Sequence, residues 1–209
     1  MPIPARFLFG RCAAFSVLAL AAASASAVTI TFNGFGGVNE DDTPDNGDAF
    51  ASYSEAGFTL TPTGGSVLVA KATGNDVPAI YVPSDGTSGF GRFDLTAGGA
   101  RFTFAAIDIA AITSNVSVTF TGMLGAATAY SFTRSVAGHP FVFGSPVLFD
   151  TVPGSFAALA IDRLTVARTG GGTSFTIDNI NVTAVPEPSS AALLGLGLAG
   201  LAVAKRRRA

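Results

Sequence analysis

Five acidic side chains crowd one short stretch near the start of the chain, and carboxylate oxygens at that density suit Ca²⁺. They are Glu40, Asp41, Asp42, Asp45 and Asp48. Ca²⁺ takes about six to eight oxygen ligands from flexible loops, but the spacing is not that of an EF-hand, because no Glu follows at the required position. Two interpretations stay open: a solvated acidic loop, or a structural Ca²⁺ site formed by Glu40, Asp41 and Asp45 together with Asp178. Asp178 lies on the last predicted strand, where it could instead fill a bulge by bonding its own backbone.

Other residue types that support catalysis are sparse and scattered. The only histidine, His139, stands between Gly138 and Pro140 in a turn sequence, so we predict a loop residue rather than a catalytic base. A glycosidase needs two positioned carboxylates, and no spacing selects a pair among the candidates Asp94, Asp108, Asp150 and Asp162. The sequence therefore favours a non-enzymatic protein, with a small glycosidase as the weakest alternative.

The aromatic residues also limit the choice of ligand. The chain has 18 Phe, 3 Tyr and no Trp, whereas flat sugar-binding platforms favour Trp and Tyr, whose polar tips form hydrogen bonds. The Phe residues recur at alternating positions, which is typical of a core. A carbohydrate-binding module that holds a specific glycan stays open as an alternative function.

Charge and cysteine content exclude further classes. Residues 28–184 carry six basic and thirteen acidic side chains, although the whole chain has a formal net charge of −2. A domain this acidic repels phosphate backbones, so nucleic acid is not an expected partner. The only cysteine is Cys12, near the N-terminus, and we therefore expect a domain without disulfides that is held together by its core.

The first 27 residues have the three parts of a signal peptide. Arg6 and Arg11 make a basic start, residues 12–23 are apolar, and Ala25 and Ala27 end a small-residue region. The apolar run is too short to cross a bilayer, whose core needs about 20 apolar residues. We predict cleavage by signal peptidase after Ala27, so that the exported chain begins at Val28.

The C-terminus has a second apolar segment, framed by prolines and by basic residues. Val185, Pro186, Glu187 and Pro188 precede the uncharged residues 189–204, which predict a short transmembrane helix that begins at the water boundary. The basic residues that follow predict a stop-transfer signal on the cytoplasmic side; they are Lys205, Arg206, Arg207 and Arg208. A plain C-terminal anchor with a Pro-rich hinge is the alternative.

This order of features over residues 185–209 resembles the PEP-CTERM sorting domain. The resemblance implies a Gram-negative bacterium with an exosortase-type enzyme that recognises Pro-Glu-Pro and removes the tail. It also implies that the protein is anchored transiently in the inner membrane and then reaches the cell surface or the extracellular space. An extracellular matrix protein associated with exopolysaccharide is the function that follows.

Between the two ends, residues 28–184 read as about ten short strands with Gly-rich turns. Period-2 alternation predicts strands at 28–32, 90–96, 101–112, 116–121, 126–135, 159–166 and 175–182, and a hairpin between 58–61 and 66–70. Breaks in the alternation at Asp162-Arg163 and at Asp178-Asn179 indicate β-bulges. The sequence thus predicts an all-β domain, a single β-sandwich of jelly-roll type.

Several short strings support that fold by resemblance. Thr-Phe-Asn-Gly-Phe at residues 31–35, Phe-Asp-Leu-Thr at 93–96 and Phe-Thr-Ile-Asp-Asn-Ile at 175–180 are similar to segments of other PEP-CTERM passenger domains. Those domains resemble carbohydrate-binding-module sandwiches, in which a structural Ca²⁺ often links an N-terminal loop to the last strand. The resemblance implies a fold rather than a ligand.

Overall fold

A computed structural model describes residues 25–33, 48–63, 68–73, 77–83, 91–112, 114–140, 148–171, 174–186 and 197. The chain divides into Ser24–Glu187 and a second unit made of Met1–Ala23 and Pro188–Ala209. The second unit contains most of the predicted signal peptide and the predicted transmembrane helix, which lie outside the described residues except for Gly197. Among the described residues, no helix is long and apolar enough to cross a membrane.

The described part of Ser24–Glu187 is built from strands. In chain order they are β1 (Ser26–Ile30), β2 (Asp48–Phe50), β3 (Tyr53–Glu55), β4 (Phe58–Pro62), β5 (Leu68–Thr73), β6 (Val77–Pro83), β7 (Arg92–Thr96), β8 (Arg101–Ile112), β9 (Val116–Leu124), β10 (Ala127–Val136), β11 (Gly138–His139), β12 (Asp150–Pro153), β13 (Arg163–Gly171) and β14 (Ser174–Val185).

These strands form two sheets. Sheet 1 has the order β11-β8-β14-β6-β5-β2, with β1 also paired to β14 and β12 also paired to β8, and sheet 2 has the order β10-β9-β13-β7-β4-β3. Within them, β6-β14-β8-β12 faces β7-β13-β9-β10, and the chain passes between the two sets in the manner of a jelly roll. The predicted fold class, an all-β jelly-roll sandwich, is confirmed.

The core lies between the sheets because each strand turns alternate side chains inward. In β9, Val116, Val118 and Phe120 are buried, while Ser117 and Thr119 are partly exposed on the other face. The largest buried side chains are phenylalanines. One, Phe32, follows β1, and the others lie on strands of both sheets; they are Phe93, Phe102, Phe104, Phe120 and Phe175. The interpretation of Phe as core is confirmed for these residues.

Two matched bulges interrupt the centre of sheet 1. Asp178 pairs with Asp108, then Asn181 with Ala106, then Val182 with Phe104, so β14 and β8 each accommodate one extra residue. The core-facing positions therefore change parity in both strands, and the same register resumes beyond the bulges. The bulge predicted at Asp178-Asn179 is confirmed, and Asn179 adopts a left-handed φ of 43° there.

Three sequence-based predictions for individual strands are wrong. The segments 58–61 and 66–70 do not form a hairpin, because β4 belongs to sheet 2 and β5 to sheet 1. Asp162-Arg163 is not a bulge, since β13 begins at Arg163, and the register shift in β13 falls between Arg168 and Gly170. Leu159 precedes β13 in an exposed bend, where its N–H bonds the carbonyl oxygen of Phe156.

Candidate functional site

The predicted sorting motif overlaps the last strand of the sandwich, because Val185 is both the end of β14 and the first residue of the motif. In β14, Ala184 pairs with Phe102 and Val185 with Arg101 of β8, and Pro186 is the first residue beyond the strand. Proline has no N–H to donate and cannot continue a central ladder, so β14 ends just before the first proline of the motif. The motif residues Glu187 and Pro188 and the basic residues 205–208 lie outside the described residues.

The other predicted processing site lies beside this one. β1 pairs antiparallel with β14, with Ser26 opposite Ala184 and Ala27 opposite Thr183. Both strands extend toward the same end of the sandwich, because antiparallel neighbours place the start of one beside the finish of the other. The predicted cleavage point and the sorting motif are therefore adjacent.

Of the four predicted calcium ligands, the structure describes only Asp178. Glu40, Asp41 and Asp45 lie outside the described residues. Asp178 is 6% exposed and sits at the bulge of β14. Its Oδ1 accepts a 2.7 Å hydrogen bond from the N–H of Asn179, which is the local backbone bond expected of an Asp at a bulge.

A second carboxylate faces Asp178 across the bulge. The side-chain amide of Asn179 donates to Oδ2 of Asp108 at 3.0 Å and to Oδ2 of Asp178 at 3.2 Å. Burial raises the pKa of Asp178, and the negative charges of Asp108 and Glu55 raise it further, against the opposing effect of the hydrogen bond from Asn179. The surroundings of Asp178 are therefore electrostatically unfavourable for its ionised form, and a nearby cation would reduce that repulsion.

Glu55 is the third acid of this region, and no sequence pattern marks it as a site residue. Its carboxylate accepts hydrogen bonds from the N–H of Thr31 at 3.1 Å, from the N–H of Phe32 at 2.9 Å and from the hydroxyl of Tyr53 at 2.8 Å. Although burial alone raises the pKa of Glu55, these bonds outweigh it and the net shift is downward. Glu55 thus fixes the chain after β1, where Phe32 has a φ of 60°.

The described residues do not by themselves form a metal site. No group of three or more His, Cys, Asp or Glu that could hold a metal ion occurs among them. Asp108 and Asp178 offer carboxylate oxygens of the kind that Ca²⁺ prefers, but two residues cannot supply its usual coordination number. A calcium site here requires additional ligands, and the acidic loop at residues 40–48 is the segment predicted to provide them.

Of the remaining candidates, Asp94 and Asp162 have local hydrogen-bond partners, whereas Asp150 lies beside His139. Asp94 accepts from the Thr165 hydroxyl at 2.6 Å on the outer face of sheet 2, and Asp162 accepts from the N–H of Gly125 at 2.6 Å. Nε2 of His139 lies 3.6 Å from Oδ2 of Asp150. His139 belongs to the two-residue strand β11, so its prediction as a loop residue is wrong. These acids occupy distinct places with local partners.

The outer face of sheet 2 is a second candidate surface, and it is rich in hydroxyl groups. Thr119 lies 2.7 Å from Thr133 of β10 and 3.0 Å from Thr169 of β13, and Thr121 lies 3.3 Å from Ser131, measured between hydroxyl oxygens. The aromatic rings on the described strands of sheet 2 face the core instead. This face offers hydrogen-bonding groups without a stacking platform.

Comparison with known proteins identifies the C-terminal segment. Residues 184–208 match the PEP-CTERM protein-sorting motif, so the chain carries such a motif, and the predicted resemblance is confirmed. The matched segment begins within β14. None of the curated proteins compared with the chain matches it.

Solved structures with a similar arrangement of strands include a family 29 carbohydrate-binding module from Piromyces equi. That module is 12% identical, with 78% of this chain and 93% of the module covered and a TM-score of 0.43. A DUF4465 family protein from Bacteroides caccae is 10% identical, with 75% and 98% covered and a TM-score of 0.45. At this level of identity, neither protein indicates the chemistry of this chain's own surfaces.

Proposed function

We propose that this chain is a non-enzymatic surface or extracellular-matrix protein, delivered through its sorting motif and associated with extracellular polysaccharide. The sorting motif at residues 184–208 is the observation that supports export. Signal peptidase removes residues 1–27, the helix at 189–204 anchors the chain transiently in the inner membrane, and an exosortase-type enzyme processes the Pro-Glu-Pro segment. The protein then remains at the cell surface or in the extracellular space.

The sorting step is tested by substitution in the motif. Replacing Glu187 with Ala, or both Pro186 and Pro188 with Ala, should leave the protein in the inner-membrane fraction, because an apolar helix alone only anchors. Fractionation followed by immunoblotting measures this retention. Unchanged release of both variants would mean that the tail is a plain anchor.

Association with polysaccharide is supported by the outer face of sheet 2. Its hydroxyl groups form interstrand pairs such as Thr119 with Thr133, and a face that carries hydroxyl groups can exchange hydrogen bonds with sugar hydroxyls along an extended chain. The −7 balance that six basic and thirteen acidic side chains give residues 28–184 favours a neutral over an acidic polymer.

The polysaccharide contact is tested by cosedimentation with isolated extracellular polysaccharide. Replacing Thr119 and Thr165 together with Val removes two hydroxyls from the outer face of sheet 2 and nearly conserves volume, so binding should weaken several-fold. Thr183→Val, on sheet 1, is the matched control. Equal binding of wild type, the double variant and Thr183→Val would exclude the outer face of sheet 2 as the contact surface.

The alternative is a module that binds one glycan specifically. A glycan array separates the two functions, since a matrix protein should bind long polymers weakly and broadly, whereas a module should select one oligosaccharide. The inward orientation of the described aromatic rings in sheet 2 favours the first function over stacking-based recognition.

A structural Ca²⁺ is proposed as the accessory ion. Asp178 and Asp108 would supply oxygens at the bulge of sheet 1, and Glu40, Asp41 and Asp45 would supply the rest. A bound cation would neutralise the repulsion that raises the pKa of Asp178 and would tie the acidic loop to the last strand.

A further inference from the structure

β10 is an edge strand of sheet 2, and one of its two sides faces solvent. Its pairing with β9 runs from Ala127 opposite Leu124 to Val136 opposite Val116, and β9 is the only strand among those described that pairs with it. Seven of the ten residues of β10 are exposed. In β9, which lies between β10 and β13, only Leu124 is exposed. The side of β10 away from β9 is therefore accessible.

This side presents backbone groups that a further strand can bond. In an antiparallel ladder, alternate residues direct their N–H and C=O groups to one neighbour, and the residues between them direct theirs to the other side. The register shift between Thr128 and Tyr130 leaves the ladder with β9 regular from Tyr130 to Val136. A row of backbone groups that points away from its own sheet is a template for another strand.

β10 has few of the features that keep a sheet edge from pairing. It contains neither proline nor lysine, and Arg134 is its only charged residue. The Arg134 guanidinium is held against its own domain. Nη2 donates to Oγ of Ser155 at 2.5 Å, Nη1 donates to the carbonyl oxygen of Thr133 at 3.4 Å, and the group lies 5.2 Å from the centre of the Phe132 ring. From Tyr130 onward, the edge is therefore open to pairing.

Exposed apolar side chains gather beside the same strand. Of the four large apolar side chains that are exposed among the described residues, three lie there. Leu124 is opposite Ala127 of β10. Phe156 is 40% exposed and stacks on Tyr130 with 5.1 Å between ring centres, and the N–H of Leu159 bonds the carbonyl oxygen of Phe156. A cluster of exposed apolar groups marks a contact surface, because covering it removes apolar area from water.

The charge of this region is compatible with a second copy of the chain. Residues 28–184 carry thirteen acidic and six basic side chains, so two copies repel each other overall. None of the thirteen acids lies on β9 or β10. Two copies that meet along β10 therefore bring no carboxylates of these strands together.

The side chains of β10 also match a copy of the same strand. A strand that extends sheet 2 needs polar groups on the outer face and apolar groups toward the core. β10 has Ser131 and Thr133 on its outer face, where they lie beside hydroxyls of β9, and Tyr130 and Phe132 on its core-facing side. A second β10 meets both requirements.

We propose that two copies of this domain associate antiparallel along β10, so that sheet 2 continues from one copy into the other. A two-fold axis beside Phe132 sets the register, with Ser131 of each copy opposite Thr133 of the other and Tyr130 opposite Arg134. The hydroxyl pairs between β9 and β10 then continue across the interface. The inference goes beyond the proposed function, because the chain binds itself and no polysaccharide is needed.

The choice of axis follows from Arg134 and Phe132. An axis beside Arg134 would place two like charges directly opposite each other, which is destabilising. An axis beside Phe132 keeps the two Arg134 side chains four residues apart, about 13 Å along the strands. It also places the partly buried Phe132 rings opposite each other, where each covers the other.

The interface is tested with the full-length chain in detergent, whose oligomeric state is measured by light scattering and analytical ultracentrifugation. We expect a dimer. Ser131→Lys together with Thr133→Lys changes two exposed positions and places two like-charged pairs across the interface, so the Kd of the dimer should rise about tenfold. Wild type that stays monomeric up to its solubility limit would overturn the proposal. A dimer that the lysines leave unchanged would also overturn it, because association would then lie elsewhere in the chain.

The control is Ser54→Lys together with Thr61→Lys, at exposed positions of β3 and β4 on the opposite edge of sheet 2. It adds the same charge to an acidic chain, which lowers the overall repulsion between copies. This control should therefore not weaken the dimer. Weakening as large as that caused by the β10 lysines would contradict a contact at β10.

A charge reversal tests the register. In Ser131→Lys together with Thr133→Glu, the proposed pairing places each introduced charge opposite its counterion, so the Kd should return to that of wild type or fall below it. An axis beside Ser131 or beside Thr133 would instead place like charges opposite each other. Recovery would also show that the weaker dimer of the double-lysine variant does not come from unfolding. Equal weakening in both double variants would overturn the proposed pairing.

Discussion

Asp108 and Asp178 share one hydrogen-bond donor across the centre of sheet 1, since the side-chain amide of Asn179 lies 3.0 Å from one carboxylate and 3.2 Å from the other. A single neutral donor cannot cancel two negative charges. The fold therefore keeps two like charges together at its bulge, and this arrangement has measurable consequences for stability.

Asp178→Asn should stabilise the metal-free protein at neutral pH. Burial raises the pKa of Asp178 in the folded state, so the folded protein binds this proton more tightly than the unfolded chain does. Wild-type stability therefore falls as pH rises through the folded pKa. The Asp178→Asn variant does not lose stability in this way. Its greater stability relative to wild type should vanish as pH falls below the pKa of an ordinary aspartate. Thermal melts in EDTA at several pH values measure the difference.

The control for that prediction is Asp108→Asn. Asp108 accepts a 2.6 Å hydrogen bond from Thr151, so its replacement removes a favourable bond along with the charge. If Asp108→Asn stabilises the protein as much as Asp178→Asn does, then repulsion between the two carboxylates, and not burial of Asp178, determines the effect on stability.

In the presence of Ca²⁺, Asp178→Asn should make the protein less stable than wild type instead of more stable. Binding to the folded state at a hundredfold excess over Kd contributes about 2.7 kcal/mol, which corresponds to a rise of about 5–10 °C in the melting temperature of a domain of this size. Asp178→Asn should abolish that rise. Superimposed melts of wild type in Ca²⁺ and in EDTA would exclude the metal, and loss of the rise only in Asp41 or Asp45 variants would place it wholly in the loop.

Glu55→Gln should destabilise the domain by about 1–2 kcal/mol, because the neutral amide accepts more weakly from the Thr31 and Phe32 N–H groups. The pKa of Glu55 is lowered in the folded state, so its contribution is present above the unfolded pKa and is lost as pH falls through the folded pKa. Denaturant titrations measure the free energy of unfolding of wild type and variant. The difference between them at neutral pH should disappear at acidic pH. A constant difference at all pH values would contradict this role.

The sequence pattern was sufficient for the bulge at Asp178 but not for Glu55. Phe175 and Ile177, followed by Ile180 and Val182, show the change of parity directly. The matching change of parity in β8 falls between Phe104 and Ile107. It is not evident from the sequence, because the small residues between them make this part of the strand a continuous apolar run. Glu55 bonds residues 23 and 24 positions earlier in the chain, and no local period encodes such a contact.

The incorrect prediction of a hairpin between 58–61 and 66–70 has a similar cause. Pro62, Gly64 and Gly65 are typical turn residues, and turn chemistry specifies a change of direction without specifying which sheet receives the next strand. The apolar alternation predicts a strand at Leu159, because this residue is in phase with Ile161, yet only Ile161 is buried and bridges Phe102.

Gly122→Ala should destabilise the sandwich by about 1–3 kcal/mol through overpacking. A Cβ at Gly122 would overlap the Tyr130 ring and would lie 2.9 Å from Ile161. Burial raises the pKa of Tyr130 to about 12, so displacement of the ring toward water should lower that pKa in a spectrophotometric titration. Gly170→Ala, whose Cβ would meet nothing closer than 3.7 Å, is the matched control. Equal losses in the two variants would point to backbone effects instead.

The matched bulges of β8 and β14 also restrict how the gene can change. Side chains alternate with a period of 2, so a deletion in one strand alone would turn half of its core residues toward water. Deleting one residue from each strand would restore both faces at once. We therefore expect insertions and deletions near Ala105 and near Asn179 to be tolerated only in pairs, although Asp108 and Asn179 are 71 positions apart in the chain. Descendants of this sequence should carry both bulges or neither.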